Sequence, residues 1–336
     1  MLFHLMLSAR NNALRIFACV VLLLPLLVGV DINAEAQTVG VTDPAQEDSP
    51  MGSFVGRQLT PQDDINKISA KRLFGTQTTS AALKPAAIGA YALGCLAGAQ
   101  QLPLTGPTWQ VMRPSRDRNW GTSQLISFLE HISSEAKATS GWNGFLVGDM
   151  AQPRGGPMLS GHASHQIGLD ADVWFTPMPD HTLTSDEREK MVPKNMVVDH
   201  RVLDKENWNE SRDKLIQTVA SDPAVERIFV HPPIKRELCR WAGGKGTWLA
   251  KVRPLFGHTY HFHVRLKCPV GMSTCKPQGE PRPADGTGCG KELDYWFSDA
   301  PWVHKKRDPN LPKVKPAPPL TLAGLPAQCR AVIQAP

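Results

Sequence analysis

The sequence predicts an α+β fold, with a central antiparallel sheet flanked by helices and long loops. Three observations carry this expectation. Two separate stretches, residues 167–175 and 260–266, place apolar residues on every second position, the period of a strand with one buried face. Helical periodicity is confined to a few segments of moderate length. Glycine and proline are plentiful, with 27 and 29 of 336 residues, which favours a loop-rich fold over a helix bundle. With 41% hydrophobic residues the chain has material for a substantial core.

In chain order, residues 1–36 carry the pattern of a secretory leader. Arg10 and Arg15 form a basic region, residues 16–30 an apolar run, and Ala34-Glu35-Ala36 a small-residue cleavage site. About 15 apolar residues interrupted by Pro25 fall short of the ~20 that a membrane-spanning helix needs, so no stable membrane insertion is expected after cleavage. Cys19 precedes most of the apolar run, the wrong place for a lipid-modified cysteine. The leader's two basic and two acidic residues cancel, so the mature chain keeps the formal charge of +6. That mild basicity is a weak steering field toward anionic polymers, and no nucleic-acid motif accompanies it. Residues 37–56 are polar, punctuated by Pro44 and Pro50 and without hydrophobic period, and read as a linker. A folded domain is expected over 57–300 and a proline-rich tail over 301–336.

Within that domain, residues 86–104 mix small and apolar residues with Gly89, Gly94 and Gly98, a pattern of short strands and turns around Cys95. Arg113, Arg116 and Arg118 follow in one short run. They form either a solvated basic loop or a clamp for substrate carboxylates. Thr122 or Ser123 caps a helix whose Leu125, Leu129, Ile132 and Ala136 share a face. A strand at 145–147 leads to the Gly155-Gly156-Pro157 turn. Residues 176–206 are polar and proline-punctuated, an insertion of the kind that walls a cleft. A helix over 212–220, a strand over 225–230 and short helices over 233–241 and 248–252 complete the order. Beyond Cys275 glycine and proline dominate, and residues 309–319 read as an extended polyproline-like segment. Six cysteines remain after the leader, an even number that in an exported chain predicts three disulfides. Cys329 is then expected to tie the tail back. No Cys-x-x-Cys pair is present, which speaks against a cysteine metal site, and the spacing leaves 15 pairings open.

The chemistry concentrates in the two alternating stretches. Residues 159–175 contain His162, His165, Asp170 and Asp172, with both aspartates on the face opposite Ile167, Leu169, Ala171, Val173 and Phe175. Residues 257–267 contain His258, His261 and His263. The last two lie about 6.6 Å apart on the polar face of their strand. If the two strands are neighbours, imidazoles and carboxylates converge within coordinating reach. Nitrogen and oxygen donors of this kind suit zinc, and three protein ligands with one open position make a catalytic site. Asp199 and His200 in the long insertion offer a second, weaker metal candidate, although adjacent side chains usually diverge. His-Glu-x-x-His is absent, so the helix-borne zinc protease arrangement is not present.

The segments Gly-His-Ala-Ser-His-Gln-Ile-Gly-Leu-Asp-Ala-Asp and Val-Arg-Pro-Leu-Phe-Gly-His-Thr-Tyr-His-Phe-His-Val-Arg-Leu-Lys-Cys-Pro closely resemble the penicillin-insensitive murein endopeptidases. These belong to the wider lysostaphin-like and D-Ala-D-Ala metallopeptidase group, marked by His-x6-Asp and a later His-x-His. The likeness runs from about Gly94 to the C-terminal cysteine and includes 113–121, 147–150 and 228–232. It implies that 57–300 is a metallopeptidase domain whose central sheet carries a zinc site. The ligands implied are His165, Asp172 and His263, with His162 as an additional or alternative one. His261 and His258 would be catalytic, and Asp199 falls near a position associated with a second metal. The resemblance also implies disulfides Cys95–Cys329, Cys239–Cys289 and Cys268–Cys275. The implied substrate is the D-alanyl-meso-diaminopimelate peptide cross-link of peptidoglycan, in the periplasm. Asp170, on the same face as Asp172, is expected to orient a neighbour.

Two rival readings remain at this level. Ser134-x-x-Lys137 and Ser211-x-x-Lys214 match the Ser-x-x-Lys pattern of penicillin-binding serine hydrolases, but Ser-Asp-Asn and Lys-Thr-Gly are missing. A peptidoglycan-binding module with a closed structural metal site is the alternative from another class.

Overall fold

The computed structural model describes residues 64–303 and 317–336. The leader, the linker and most of the proline run at 309–319 lie outside the described residues.

The described chain opens with helix α1 (Ala70–Gly75), followed by the hairpin of β1 (Ala86–Ala90) and β2 (Leu93–Ala97) and the short strand β3 (Gln100–Gln101). Strands β4 (Trp109–Val111) and β5 (Trp120–Gly121) lead into the long helix α2 (Ser123–Ser140). Thr122 caps that helix, its Oγ1 accepting from Leu125 N at 3.2 Å, and Gly141 ends it at φ 73°, the left-handed stop a glycine adopts without Cβ strain. Leu125, Leu129, Ile132 and Ala136 are fully buried along one face, as their spacing predicts.

Next come β6 (Phe145–Val147) and β7 (Asp170–Trp174), then helix α3 (Ser185–Lys190) and a small hairpin of β8 (Val197–Asp199) and β9 (Val202–Leu203). The polar 176–206 insertion thus holds structure that its composition hides. Thr184 and Glu187 form a reciprocal capping box at the start of α3, the device that lets so polar a segment begin a helix. Helix α4 (Glu210–Ser221), strand β10 (Val225–Val230), helices α5 (Pro232–Trp241) and α6 (Trp248–Lys251), and strands β11 (Val252–Pro254) and β12 (His261–Leu266) follow. Helices α7 (Lys291–Tyr295) and α8 (Gln328–Gln334) close the chain.

Six strands form one sheet in the order β11-β10-β12-β7-β6-β4. Its centre is antiparallel, but β10 with β11 and β4 with β6 run parallel. The expected antiparallel sheet is therefore mixed. The parallel partners are joined by crossovers that contain helices, as parallel pairing requires: α2 lies between β4 and β6, and α5 with α6 between β10 and β11. Phe262, Val264 and Leu266 of β12 join Ala171 and Val173 of β7 in the main core, all at 0% exposure. Removing each larger side chain from water contributes about 1.5–3 kcal/mol.

A second core brings Leu73 and Phe74 of α1 together with Cys95 of β2 and with Leu322, Leu325 and Val332 near the C-terminus. The described end of the chain is thus packed, and Cys95–Cys329 ties it to β2. Cys239–Cys289 and Cys268–Cys275 are the other disulfides. Among the described residues, no helix is long and apolar enough to cross a membrane.

Candidate metal centre

Strands β7 and β12 are antiparallel neighbours in a register that opposes His263 to Asp172, Arg265 to Asp170 and His261 to Trp174. Because strand side chains alternate, Asp170, Asp172, His261, His263 and Arg265 share one face of the sheet. That face differs from expectation in one respect. It is covered, and all five residues are at most 6% exposed. Both faces of these strands are interior, one apolar and one ionic.

The cover comes partly from the loop before β7. Gly168 turns it at φ 71°, where a Cβ would lie 2.5 Å from the Leu96 side chain and 3.0 Å from Thr122 N. Gln166 fastens the same loop by bonding Gly94 N, Ala92 O and Ala163 O. His165 and His258 both take left-handed backbone conformations, φ 65° and 55°, uncommon for residues with a Cβ and typical of positions that the surrounding structure over-determines. The backbone N–H of His165 is held by Asp170 Oδ2 at 3.0 Å.

These constraints place four imidazoles around one carboxylate. His165 Nε2 and His263 Nδ1 stand 3.4 and 3.2 Å from Asp172 Oδ1, and His162 Nδ1 and His261 Nε2 stand 3.5 and 3.7 Å from Oδ2. Donor atoms of His162, His165 and Asp172 all lie within 4.8 Å of one another. His258 flanks the group, its ring centroid 5.0 Å from that of His261 and 5.9 Å from that of His263.

Despite this crowding, both ring nitrogens of His165, Asp172 Oδ1 and His261 Nδ1 are buried without a hydrogen-bond partner among the described residues. A buried polar atom left unpaired costs about 1–3 kcal/mol, so several together require an explanation. A cation among His162, His165 and Asp172 supplies one, and nitrogen with carboxylate oxygen is a donor set that zinc accepts.

Burial pushes the Asp172 carboxyl up, but the imidazoles of His261, His165 and His162 outweigh it and hold the group well below the usual carboxylate range. Burial lowers His165 to about 4. It lowers His261 and takes His258 well below the ordinary imidazole value, with His261 and His263 adding to the latter shift. Burial thus favours the neutral form of these three rings, the form that can bind a metal or accept a proton. Burial also opposes charge on His162 and His263. Asp172 and Asp149 overcome it at His162, raising that ring to about 9, while Asp170 and Asp172 raise His263.

Two further carboxylates support the group. Asp170 accepts from His263 Nε2 at 3.0 Å, Arg265 Nε at 2.7 Å and Arg265 Nη2 at 3.3 Å, so His263 turns Nδ1 toward Asp172. Asp149, two residues beyond β6, accepts from His162 Nε2 at 3.0 Å and Arg118 Nη1 at 2.7 Å, with Arg116 Nη1 at 3.3 Å. Asp149 was not legible as a site residue, since a single aspartate after a three-residue strand carries no period or spacing. The same contacts revise the arginine run. Arg116 and Arg118 are engaged by Asp149, and Arg113 donates to the Glu189 carbonyl and lies 5.7 Å over the Trp174 ring. None of the three is a free carboxylate clamp.

Asp199 sits at the exposed end of β8, its Oδ1 2.6 Å from Nδ1 of its neighbour His200, whose ring packs 4.4 Å from Trp302. It is not one of the three grouped donors. Ser134 and Lys137 are exposed on α2, and Lys214 is exposed on α4 and paired with Glu210. Neither Ser-x-x-Lys pair has the desolvated lysine that activates a serine. A cavity of about 1100 Å³ between Val202, Trp208, Asp213 and Glu237 contains none of the clustered residues.

The chain is similar to known proteins over most of its length. A family profile described as penicillin-insensitive murein endopeptidase matches residues 87–334. The penicillin-insensitive murein endopeptidase of Yersinia enterocolitica is 41% identical over 270 residues, covering 80% of this chain and 93% of the relative. That of Haemophilus influenzae is 48% identical over 219 residues, 64% of this chain and 74% of the relative. That of Klebsiella pneumoniae is 40% identical over 247 residues, 73% and 85%. With the match spanning the sheet, its histidines and all three disulfides, the chain belongs to the penicillin-insensitive murein endopeptidase family of peptide hydrolases.

Proposed function

We propose that this chain is an exported zinc endopeptidase that opens D-alanyl-meso-diaminopimelate cross-links of peptidoglycan in the periplasm, its leader ending at Ala36. The observation that carries the reading is the β7–β12 register, which gathers His263 with Asp172 beside a loop that returns His165 to the same carboxylate. His165, Asp172 and His263 would hold the metal, with His162 as an additional or alternative ligand. Zinc bound there supplies Lewis acidity toward water and the scissile carbonyl.

The chain's own groups divide the proton transfers. His261, buried and neutral, takes the proton from the attacking water as the water oxygen bonds to the carbonyl carbon. His258 donates its Nδ1–H to the Phe256 carbonyl at 2.7 Å, which leaves Nε2 to relay that proton to the departing amine as the C–N bond breaks. Asp170 and Arg265 keep His263 oriented. Asp199 with His200 stands as a candidate for a second metal.

Digestion of purified, cross-linked muropeptides by the mature protein tests the proposal. Product masses should correspond to hydrolysis between D-alanine and diaminopimelate, blocked by a chelator and unaffected by penicillin. Binding of cell wall with bound metal and no product would support the structural-metal module instead.

A further inference from the structure

We infer that Asp149 is a positioning residue that fixes the ring of His162, and that Arg116 and Arg118 serve the site by holding Asp149. This inference rests on the metallopeptidase reading above and adds to it a residue and a route of support. His162 lies in a loop outside any helix or strand, with 16% of its side chain exposed, and the ring of His165, 4.3 Å away in the same loop, makes no hydrogen bond to its Nε2. Asp149 does. Its carboxylate, 4% exposed, meets His162 Nε2 through Oδ2 at 3.0 Å, and the same oxygen is fastened by Arg118 Nη1 at 2.7 Å.

The backbone makes this support rigid. Asp172 N donates to Asp149 O at 2.9 Å and Gly148 N to Asp172 O at 2.8 Å. The two carboxylates that flank the His162 ring, Asp149 at Nε2 and Asp172 at Nδ1, are thereby registered to each other through adjoining strands. Arg116 and Arg118 come from a turn with left-handed backbone at Arg113 and Asp117, φ 55° and 50°. That turn is itself anchored where Met150 N donates to Arg118 O at 2.6 Å. A carboxylate only accepts, so Nε2 must carry its hydrogen toward Asp149. Nδ1 is then the one ring atom that His162 can present to Asp172 or to a metal. A partner behind a ligand's second nitrogen is a known determinant of ring orientation, and its loss typically lowers affinity or activity by ~10–100-fold.

Two measurements test this on the mature, disulfide-bonded protein. In the metal-free protein, the ring N–H proton of His162, assigned by its absence in His162→Gln, should give a downfield NMR resonance protected from exchange. Asp149→Asn should remove that resonance or move it upfield, and Arg116→Gln should shift it less while leaving Arg118 in place. An unchanged resonance in Asp149→Asn overturns the inference. With metal restored, Asp149→Asn should lower kcat for muropeptide cleavage by ~10–100-fold at unchanged KM, and Asp149→Asn/His162→Gln should be no slower than His162→Gln alone. Fully additive losses would show that Asp149 does not act through His162. Should the wild-type protein cleave no muropeptide, the hydrolase reading falls, while the resonance still decides the role of Asp149.

Discussion

Replacing Asp170 with Asn separates the charge of this residue from its volume. The carboxylate is at 0% exposure and accepts from four donors: His165 N, His263 Nε2, Arg265 Nε and Arg265 Nη2. Arg265 is 6% exposed and bonded otherwise to Gln278, so Asp170→Asn leaves a guanidinium in the interior without its counter-charge. Breaking a buried pair from one side costs about 3–5 kcal/mol. One acceptor oxygen survives in Asn, which puts the expectation near the lower bound. In a domain of this size ~3 kcal/mol lowers Tm by on the order of 10 °C. The assay is calorimetry on metal-free, oxidised protein, because bound metal would add stabilisation of its own by mass action. Burial opposes the charge on Asp170, but Arg265 and His263 hold its carboxyl below the usual range. Its contribution is therefore complete above the unfolded value near ~4 and is lost as pH falls toward the folded one. The gap between wild type and variant should narrow below that pH. A Tm within about 2 °C of wild type at pH 7 would refute the reasoning, since it would mean the carboxylate is not compensating Arg265.

Other parts of the fold give further expectations. Thr122 Oγ1 both accepts from Leu125 N and donates to Gly168 O, so Thr122→Ala should cost about 1–2 kcal/mol in urea denaturation. Replacing both Cys95 and Cys329 with Ser should lower stability by ~2–5 kcal/mol and make limited proteolysis within 317–336 faster, a loss detectable by mass spectrometry. Lys235 is fully buried, bonded to the carbonyls of Leu249 and Thr287, and lowered to about 7 by burial and by the charge of Arg253. Between that value and the unfolded one near ~10.4 the unfolded chain binds more protons, so stability rises with pH. From pH 7 to 9 the wild type should gain on the order of 1–2 kcal/mol relative to Lys235→Met, read from the difference in denaturation midpoints.

Where the physical signal is local, the sequence carried it. The strand at 225–230, the α2 face built on Leu125, Leu129, Ile132 and Ala136, and the alternation within 167–175 and 260–266 were all legible because period and spacing are properties of short segments, whereas the adjacency of the last two strands, about ninety residues apart, entered only as a condition. Period misled at one point. Asp170, Asp172, His261 and His263 alternate with apolar residues as a solvent face would, yet they are interior, because an ionic cluster alternates in the same way as a wet surface. The arginine run was open between two readings, since its partner Asp149 lies about thirty residues away and only tertiary structure joins them. Helix α3 was hidden by its polarity, although Thr184 and Glu187 stand at capping-box spacing. Helix α8 was hidden by the proline-rich tail around it, and it packs only because distant residues of α1 and β2 offer it a core.

Metal stoichiometry and muropeptide cleavage, measured together on the wild-type protein and on His263→Ala, test the central claim most directly. The wild-type protein should bind zinc tightly and open cross-links between D-alanine and diaminopimelate, and His263→Ala should lose both metal and product. Retained cleavage by His263→Ala, or wild-type protein that binds zinc and yields no product, would contradict it.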